Sequence, residues 1–216
     1  MTVPGDYIVT EANANESNWF HSTSATSLIV FPASGGSETR TFGNYCTSPS
    51  GGLTLGFWSN KNGNKILTGS SAGNGTTLFA NVVTLLNSCA LVNANGSVHV
   101  FTNSYSAFKT WLLGANATNM AYMLSAQLAT LKLDVNFNDL DGNAFDLCSN
   151  MTVNGLISAA CDSMTGPGNQ LTLSGNPSRP GQEMLKNCID AINNNGAVVP
   201  VTPCPYTFPN PPAPCP

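Results

Sequence analysis

The sequence predicts an α+β fold, a disulfide-stabilised helical body with a β-rich N-terminal arm and an extended Pro-rich C-terminal tail. Three patterns predict it. Residues 1–45 carry short β-branched and aromatic runs broken by Gly, Ser and Pro. Residues 46–200 carry apolar side chains at helical spacing. Residues 201–216 hold seven prolines in sixteen positions, which enforces an extended, polyproline-like path. The expected organisation is therefore an arm (1–45), a core domain (46–200) and a tail (201–216).

In the arm, Tyr7-Ile8-Val9-Thr10 and Ser27-Leu28-Ile29-Val30-Phe31 read as strands, with Pro32-Ala33-Ser34-Gly35-Gly36 as punctuation. In the core, Leu78, Val82, Leu85, Leu86 and Cys89 recur at helical spacing behind Thr76 or Thr77, which have N-cap chemistry. Phe108, Trp111 and Leu112 predict a helix starting near Ser104. Met120, Met123, Leu124, Leu128 and Leu131 give the clearest amphipathic helix. Leu156, Ile157, Ala160, Cys161 and Met164 repeat the pattern, as do Met184, Leu185, Cys188, Ile189 and Ile192. That last helix has Pro180 at its start and Gly196 at its end, and Glu183–Lys186 and Lys186–Asp190 can pair on its exposed face. Val98-His99-Val100-Phe101 reads as a strand.

Only 18 of 216 residues are charged, 7 Lys+Arg against 11 Asp+Glu, whereas 89 are Asn, Ser, Thr or Gly. Without a basic cluster there is nothing to displace counterions from phosphates, so nucleic acid is excluded as a partner. No apolar run is long enough to span a bilayer. Met1-Thr-Val-Pro-Gly-Asp6 has neither a basic n-region nor an apolar h-region, and the expectation is a mature chain.

The seven cysteines are Cys46, Cys89, Cys148, Cys161, Cys188, Cys204 and Cys215. They are scattered, with no CxxC, so they read as disulfides of an oxidising compartment rather than as zinc ligands or a redox pair. Three bridges leave one thiol over. Connectivity does not follow from spacing, although Cys46 and Cys204, which bracket the core, are expected to be close. Sequons at Asn15, Asn74, Asn95, Asn116 and Asn150 mark where covalent glycans would attach. So Asn-, Ser- and Thr-rich a chain generates about five by composition alone.

Leu53-Thr-Leu-Gly-Phe-Trp-Ser-Asn-Lys-Asn-Gly63 and Trp111-Leu-Leu-Gly-Ala-Asn-Ala-Thr-Asn-Met-Ala-Tyr-Met-Leu-Ser-Ala-Gln-Leu-Ala-Thr-Leu131 resemble motifs of a family of bacterial secreted proteins of unknown function. Arg179-Pro-Gly-Gln-Glu-Met-Leu-Lys186 and Ala191-Ile-Asn-Asn-Asn195 are similar to it as well. The resemblance covers roughly residues 46–204 and implies export to an extracellular or cell-surface setting. The chain also resembles subunits of bacterial extracellular fibrils, some of them sugar-coated. With no activity known for the family, the resemblance implies no catalytic residue.

No catalytic residue, metal ligand or cofactor is assigned from the residues either. A histidine-dependent hydrolase would have to use His21 or His99, and neither stands in a nucleophile context. Asp139-x-Asp141-Gly142 resembles part of a calcium loop, but Phe137 and Cys148 occupy two ligand positions. Asn138, Asp139, Asp141 and Asp146 could still surround a hard cation; an Asp/Asn-rich turn is the simpler reading.

Residues 1–37 contain no Lys or Arg, although they hold the best strands. Free strand edges are usually guarded by charge. An unguarded edge is either covered in its own chain or completed by another. The expected function is therefore an exported structural protein that self-assembles head-to-tail into a filament or surface layer. The homopolymer would form through Ile8 and Val9, or through Leu28, Ile29, Val30 and Phe31. The alternative is a carbohydrate-binding or adhesive module, with Trp58 or Trp19 stacking on sugar beside neighbouring amides.

Overall fold

The structure, a computed structural model, describes residues 5–11, 17–31 and 37–204. Among the described residues it is mixed α+β, with a β-rich N-terminal region, seven helices and three disulfides. The chain divides into two compact units, residues 1–48 with 202–216, and residues 49–201.

The described residues of the first unit form two small antiparallel sheets. Strand β1 (Gly5–Thr10) pairs with β3 (Thr26–Phe31), Tyr7 opposite Ile29 and Ile8 opposite Leu28. Strand β2 (Trp19–His21) pairs with β4 (Asn44–Cys46). Phe20 stacks on Tyr45 with ring centroids 5.4 Å apart. Glu11 joins the elements: one oxygen accepts from Asn44 Nδ2 at 2.6 Å and the other lies 3.2 Å from His21 Nδ1. The disulfide Cys46–Cys204 fastens residues 202–204 to β4.

In the second unit, β5 (Ser48–Pro49) leads in and pairs with β8 (Ala197–Val198). Helices α1 (Leu55–Trp58) and α2 (Lys61–Thr68) follow, then α3 (Ala80–Asn87) and α4 (Tyr105–Gly114). The long helix α5 (Met120–Phe137) is the centre. A small hairpin, β6 (Phe145–Asp146) with β7 (Met151–Thr152), precedes α6 (Val153–Ser163) and α7 (Arg179–Asn193). Helix α5 packs against α7, α6, α3 and α1.

Local chemistry explains most helix starts. Thr54, Asn60, Ser104, Asn119 and Thr152 each accept a first-turn backbone N–H, the N-cap geometry expected of short polar side chains. Helix α3 departs from expectation. Its N-cap is Phe79, not Thr76 or Thr77. Leu78 N–H donates to Asn103 and Tyr105 N–H donates to Thr76, which holds 76–78 extended until α3 can begin at Ala80. The expected strand at 98–101 is reduced to a single bridge between Val92 and Val98. It has no partner to extend it, because the neighbouring backbone at Phe101 is paired with the Asn87 side chain.

Helix α5 also differs from the amphipathic element its apolar spacing predicts. Fourteen of its 18 residues are buried, including Ser125, Gln127, Thr130, Lys132 and Asp134. A helix buried all round must satisfy its polar groups internally. Ser125 accepts from Val92 N–H, and Gln127 Nε2 donates to Asp190 at 2.8 Å. Lys132 Nζ donates to Ser88 Oγ at 2.8 Å. Asp190 is thus engaged by Gln127 and Asn194, and the Glu183–Lys186 and Lys186–Asp190 pairs do not form among the described residues.

The abundant asparagines serve this interior. Asn87 donates to Phe101 C=O and accepts from Phe101 N–H, both at 2.9 Å, imitating a strand partner. Asn64 treats Gly75 the same way. Asn119, 2% exposed, donates to the carbonyls of Asn93, Ala94 and Gln170 and accepts from Ala121 and Thr172 N–H. Two disulfides, Cys89–Cys161 and Cys148–Cys188, brace the helices, each the kind of cross-link that contributes about 2–4 kcal/mol.

Asn119→Ala strands several buried partners, so unfolding in urea under oxidising conditions should show a loss of about 3 kcal/mol. Asn119→Asp, which cannot donate to carbonyls, should lose at least as much. A change below about 0.5 kcal/mol, typical of an indifferent surface site, would refute this role.

Candidate functional site

Two places in the second unit concentrate chemistry: a buried carboxyl on α5 and an open cleft beside α4. The carboxyl is Asp134, fully buried. Its Oδ1 accepts from Trp58 Nε1 at 2.9 Å and its Oδ2 from Leu53 N–H at 3.0 Å. The backbone cooperates, since Asp134 C=O receives the N–H groups of Asn138 and Leu140. Gly52 is required beside it: a Cβ there would meet Ile192 C=O at 2.0 Å. Burial pushes the Asp134 carboxyl up to about 7, against the opposing pull of the two N–H donors. Two residues earlier, burial lowers the Lys132 ammonium to about 8. Asp134 and Lys132 do not pair. Each is satisfied by neutral groups on a different element.

The cleft, of about 740 Å³, lies between the 93–99 turn and the outer face of α4. Ser106, Ala107, Thr110 and Gly114 form one wall, at spacings that share a helix face. Asn93, Asn95 and His99 form the other, and Trp111 and Tyr122, only 5% and 6% exposed, lie at the floor. His99 is held tightly. Its ring stacks on Trp111 at 5.2 Å and meets the edge of Phe101 at 4.5 Å. Its Nδ1 lies 2.8 Å from Asn93 Oδ1, and Asn93 Nδ2 donates to Ser97 Oγ. The amide is thereby oriented with its oxygen toward His99, so Nδ1 carries the proton and Nε2 the lone pair. Burial lowers the His99 pKa, favouring this neutral form. Asn93 positions His99 as an orienting amide can position a catalytic imidazole. Ser106, the hydroxyl on the opposite wall, instead bonds Ser104 Oγ at 3.1 Å.

The cysteines resolve into pairs: Cys46 with Cys204, Cys89 with Cys161, and Cys148 with Cys188. Cys215 lies outside the described residues. Asp146, Cys148 and Cys188 bring ligand atoms within 4.8 Å of one another, but both sulfurs are spent in a disulfide and offer no thiolate. The acidic segment is built as a turn. Asp139 is left-handed at φ 54°, Asp141 accepts from Asn143 N–H, and Asp146 accepts from Ser149 N–H. Asn138 Nδ2 points away to Gly51 C=O.

Asn74, Asn95, Asn116 and Asn150 are exposed, and Asn15 lies outside the described residues. Ile8, Val9, Leu28, Ile29, Val30 and Phe31 are brought together in the β1–β3 sheet. Trp58 is completely buried, its indole committed to Asp134, so it cannot stack on a sugar. That removes Trp58 from the carbohydrate-binding alternative as a sugar platform. Trp19 is part-buried in β2, opposite Cys46.

The sequence did not single out Asp134 as the buried anchor; the signal was a lone carboxylate at the end of an apolar helical repeat. It also did not assemble the cleft, whose walls are separated in the chain and joined only by folding.

Comparison with known proteins found no matching family, no matching curated protein and no matching solved structure. No helix among the described residues is long and apolar enough to cross a membrane.

The two shifted groups give opposite pH dependences. The Asp134 carboxyl titrates near 3.8 when unfolded and about 7 when folded, so the folded chain binds more protons between those values and loses stability as pH rises through them. Lys132 moves from 10.5 to about 8, so the folded chain binds fewer protons there and regains stability as pH rises further. Urea unfolding across pH 4–9 should find a shallow minimum near neutrality. Asp134→Asn should remove the falling limb; an unchanged limb in that variant would overturn the assignment.

Proposed function

We propose that the chain is an exported structural subunit that polymerises by adding a strand of a neighbouring copy to its N-terminal sheet. The observation that carries this reading is the β1–β3 sheet itself. Strand alternation puts Ile8, Leu28 and Val30 on one face, and they are 74%, 57% and 51% exposed. The opposite face holds Tyr7, Val9 and Ile29, of which Ile29 is buried. Both faces therefore carry large apolar side chains, with Asp6 the one charge among them, the pattern of a strand pair meant to lie inside a larger assembly. A two-stranded sheet alone is marginal in water and gains from a third strand.

Arg40 gives the addition a direction. Its Nε donates to Ser27 Oγ at 3.1 Å and its Nη2 to Leu28 C=O at 3.4 Å, so the side chain occupies part of the outer edge of β3. Within its sheet β1 pairs with β3 alone among the described residues. The edge left for strand addition is that of β1, whose sole charged side chain is Asp6. A head-to-tail contact of this type extends into a fibre when its rotation does not close into a ring. Three disulfides support the same reading, because such bonds persist in oxidising compartments.

Ile8→Lys with Leu28→Lys places like charges on the exposed face and changes no residue of the second unit. Electron microscopy and light scattering should find fibres for the natural chain and monomers of unchanged circular dichroism for the double variant. A monodisperse natural chain, or fibres indifferent to both lysines, would sink the proposal.

A further inference from the structure

We propose that the cleft between the 93–99 turn and α4 is a binding site for a short neutral oligosaccharide. This reading is independent of self-assembly and uses no residue of the N-terminal sheet.

Its volume, about 740 Å³, falls within the usual range for small-molecule sites. Charge defines the ligand class first. None of the lining residues is Lys, Arg, Asp or Glu, and His99 is held neutral by burial and by its bond to Asn93. Phosphate, carboxylate and amine ligands would find no countercharge, and their desolvation would go uncompensated. A purely apolar ligand fits no better, because the two rims are made of amides and hydroxyls.

The hydrogen-bonding capacity left over then describes what is wanted. His99 Nε2 presents a lone pair, Asn95 Nδ2 two donor hydrogens, and Thr110 Oγ1 both functions. None of these atoms is engaged by another described residue, whereas Asn93 is spent on orienting His99, Ser106 bonds Ser104 and the Tyr122 hydroxyl is committed to Trp111 C=O. Acceptor, donor and hydroxyl are thus arrayed above a floor of Trp111 and Tyr122, beside the small Ala107 and Gly114 of the α4 wall. A pyranose offers the complement: hydroxyls that donate and accept around its rim, and an apolar C–H face for the floor. The site is also rigid before binding. The imidazole is clamped by two rings and an amide, the Trp111 indole donates to Val92 C=O at 3.2 Å, and the Tyr122 hydroxyl donates to Trp111 C=O. Such preorganisation lowers the ordering cost of binding.

The sugar could be free polysaccharide or a glycan borne by another copy, since Asn95 and Asn116 are exposed sequons. Full-length protein would be titrated with cello-, malto-, xylo- and chito-oligosaccharides by calorimetry and amide NMR. At least one should bind, with shifts confined to residues 93–99 and 106–114. Thr110→Arg, on the exposed face of α4, and His99→Phe, which keeps a ring against Trp111 but removes Nε2, should each weaken binding roughly tenfold or more. Circular dichroism melts confirm that both variants fold. Glycosidase treatment of native material separates the sources: newly gained affinity for the free sugars identifies a subunit-borne glycan as the resident ligand, and unchanged affinity identifies free polysaccharide. Absence of binding by every sugar, shifts elsewhere, affinity indifferent to Thr110→Arg, or displacement of these resonances by a Pro-rich peptide instead would overturn the assignment.

Discussion

The buried hydrogen bond between Trp58 Nε1 and Asp134 holds together two parts of the chain that are 76 residues apart. A carboxyl without water is costly unless its oxygens are met, and here both are, by the indole and by Leu53 N–H. That requirement fixes the path of residues 51–60. From the other side, Tyr105 Oη donates to the carbonyls of Trp58 and Asn60, drawing α4 onto the same turn. Ser50 Oγ donates to Ile192 C=O, and Gly51 N–H to Asn195, adding the end of α7. The segment 50–60, α1 included, thus acts as a keystone between α4, α5 and α7, and α4 in turn carries one wall of the His99 cleft.

The scarcity of charge finds its structural counterpart in the way the second unit satisfies its interior. Where other domains use ion pairs, this unit uses amides and hydroxyls. Gln182 donates to Ser163 and Asn169 carbonyls while accepting from Thr172 Oγ1, and Thr172 in turn accepts from Ala121 N–H. Arg179, the arginine of this unit, is spent on the carbonyls of Ala117, Thr118 and Thr172 rather than on an acid. Neutral groups cost less to bury than ions, and an amide can donate and accept at once, so a peptide group in a loop finds both partners on one side chain.

Much of this was legible in the sequence because it is local. The periodicities behind α4, α6 and α7, the Ser104 cap and the strands β1 and β3 all depend on residues a few positions apart. What was not legible depends on partners far along the chain. The start of α3 was misplaced because Asn103 and Tyr105 hold 76–78 extended. The polar stripe of α5 looked solvated because nothing near it in sequence indicates Asp190, Ser88 or Trp58. The reach of Arg40 back to Leu28 C=O is visible only after β3 has folded. The cleft had no signature at all, since its histidine and its helix wall are each ordinary until they meet.

The bond between Cys46 and Cys204 has a mechanical consequence. It spans 158 positions of the chain and joins the end of the N-terminal arm to the start of the Pro-rich tail. Tension applied between the two ends runs along the arm, across one sulfur–sulfur link and out through the tail. Residues 47–203 hang from that line as a covalent loop and carry none of the load. The body can therefore be pulled at both ends without being unravelled, for as long as the sulfur bridge remains oxidised.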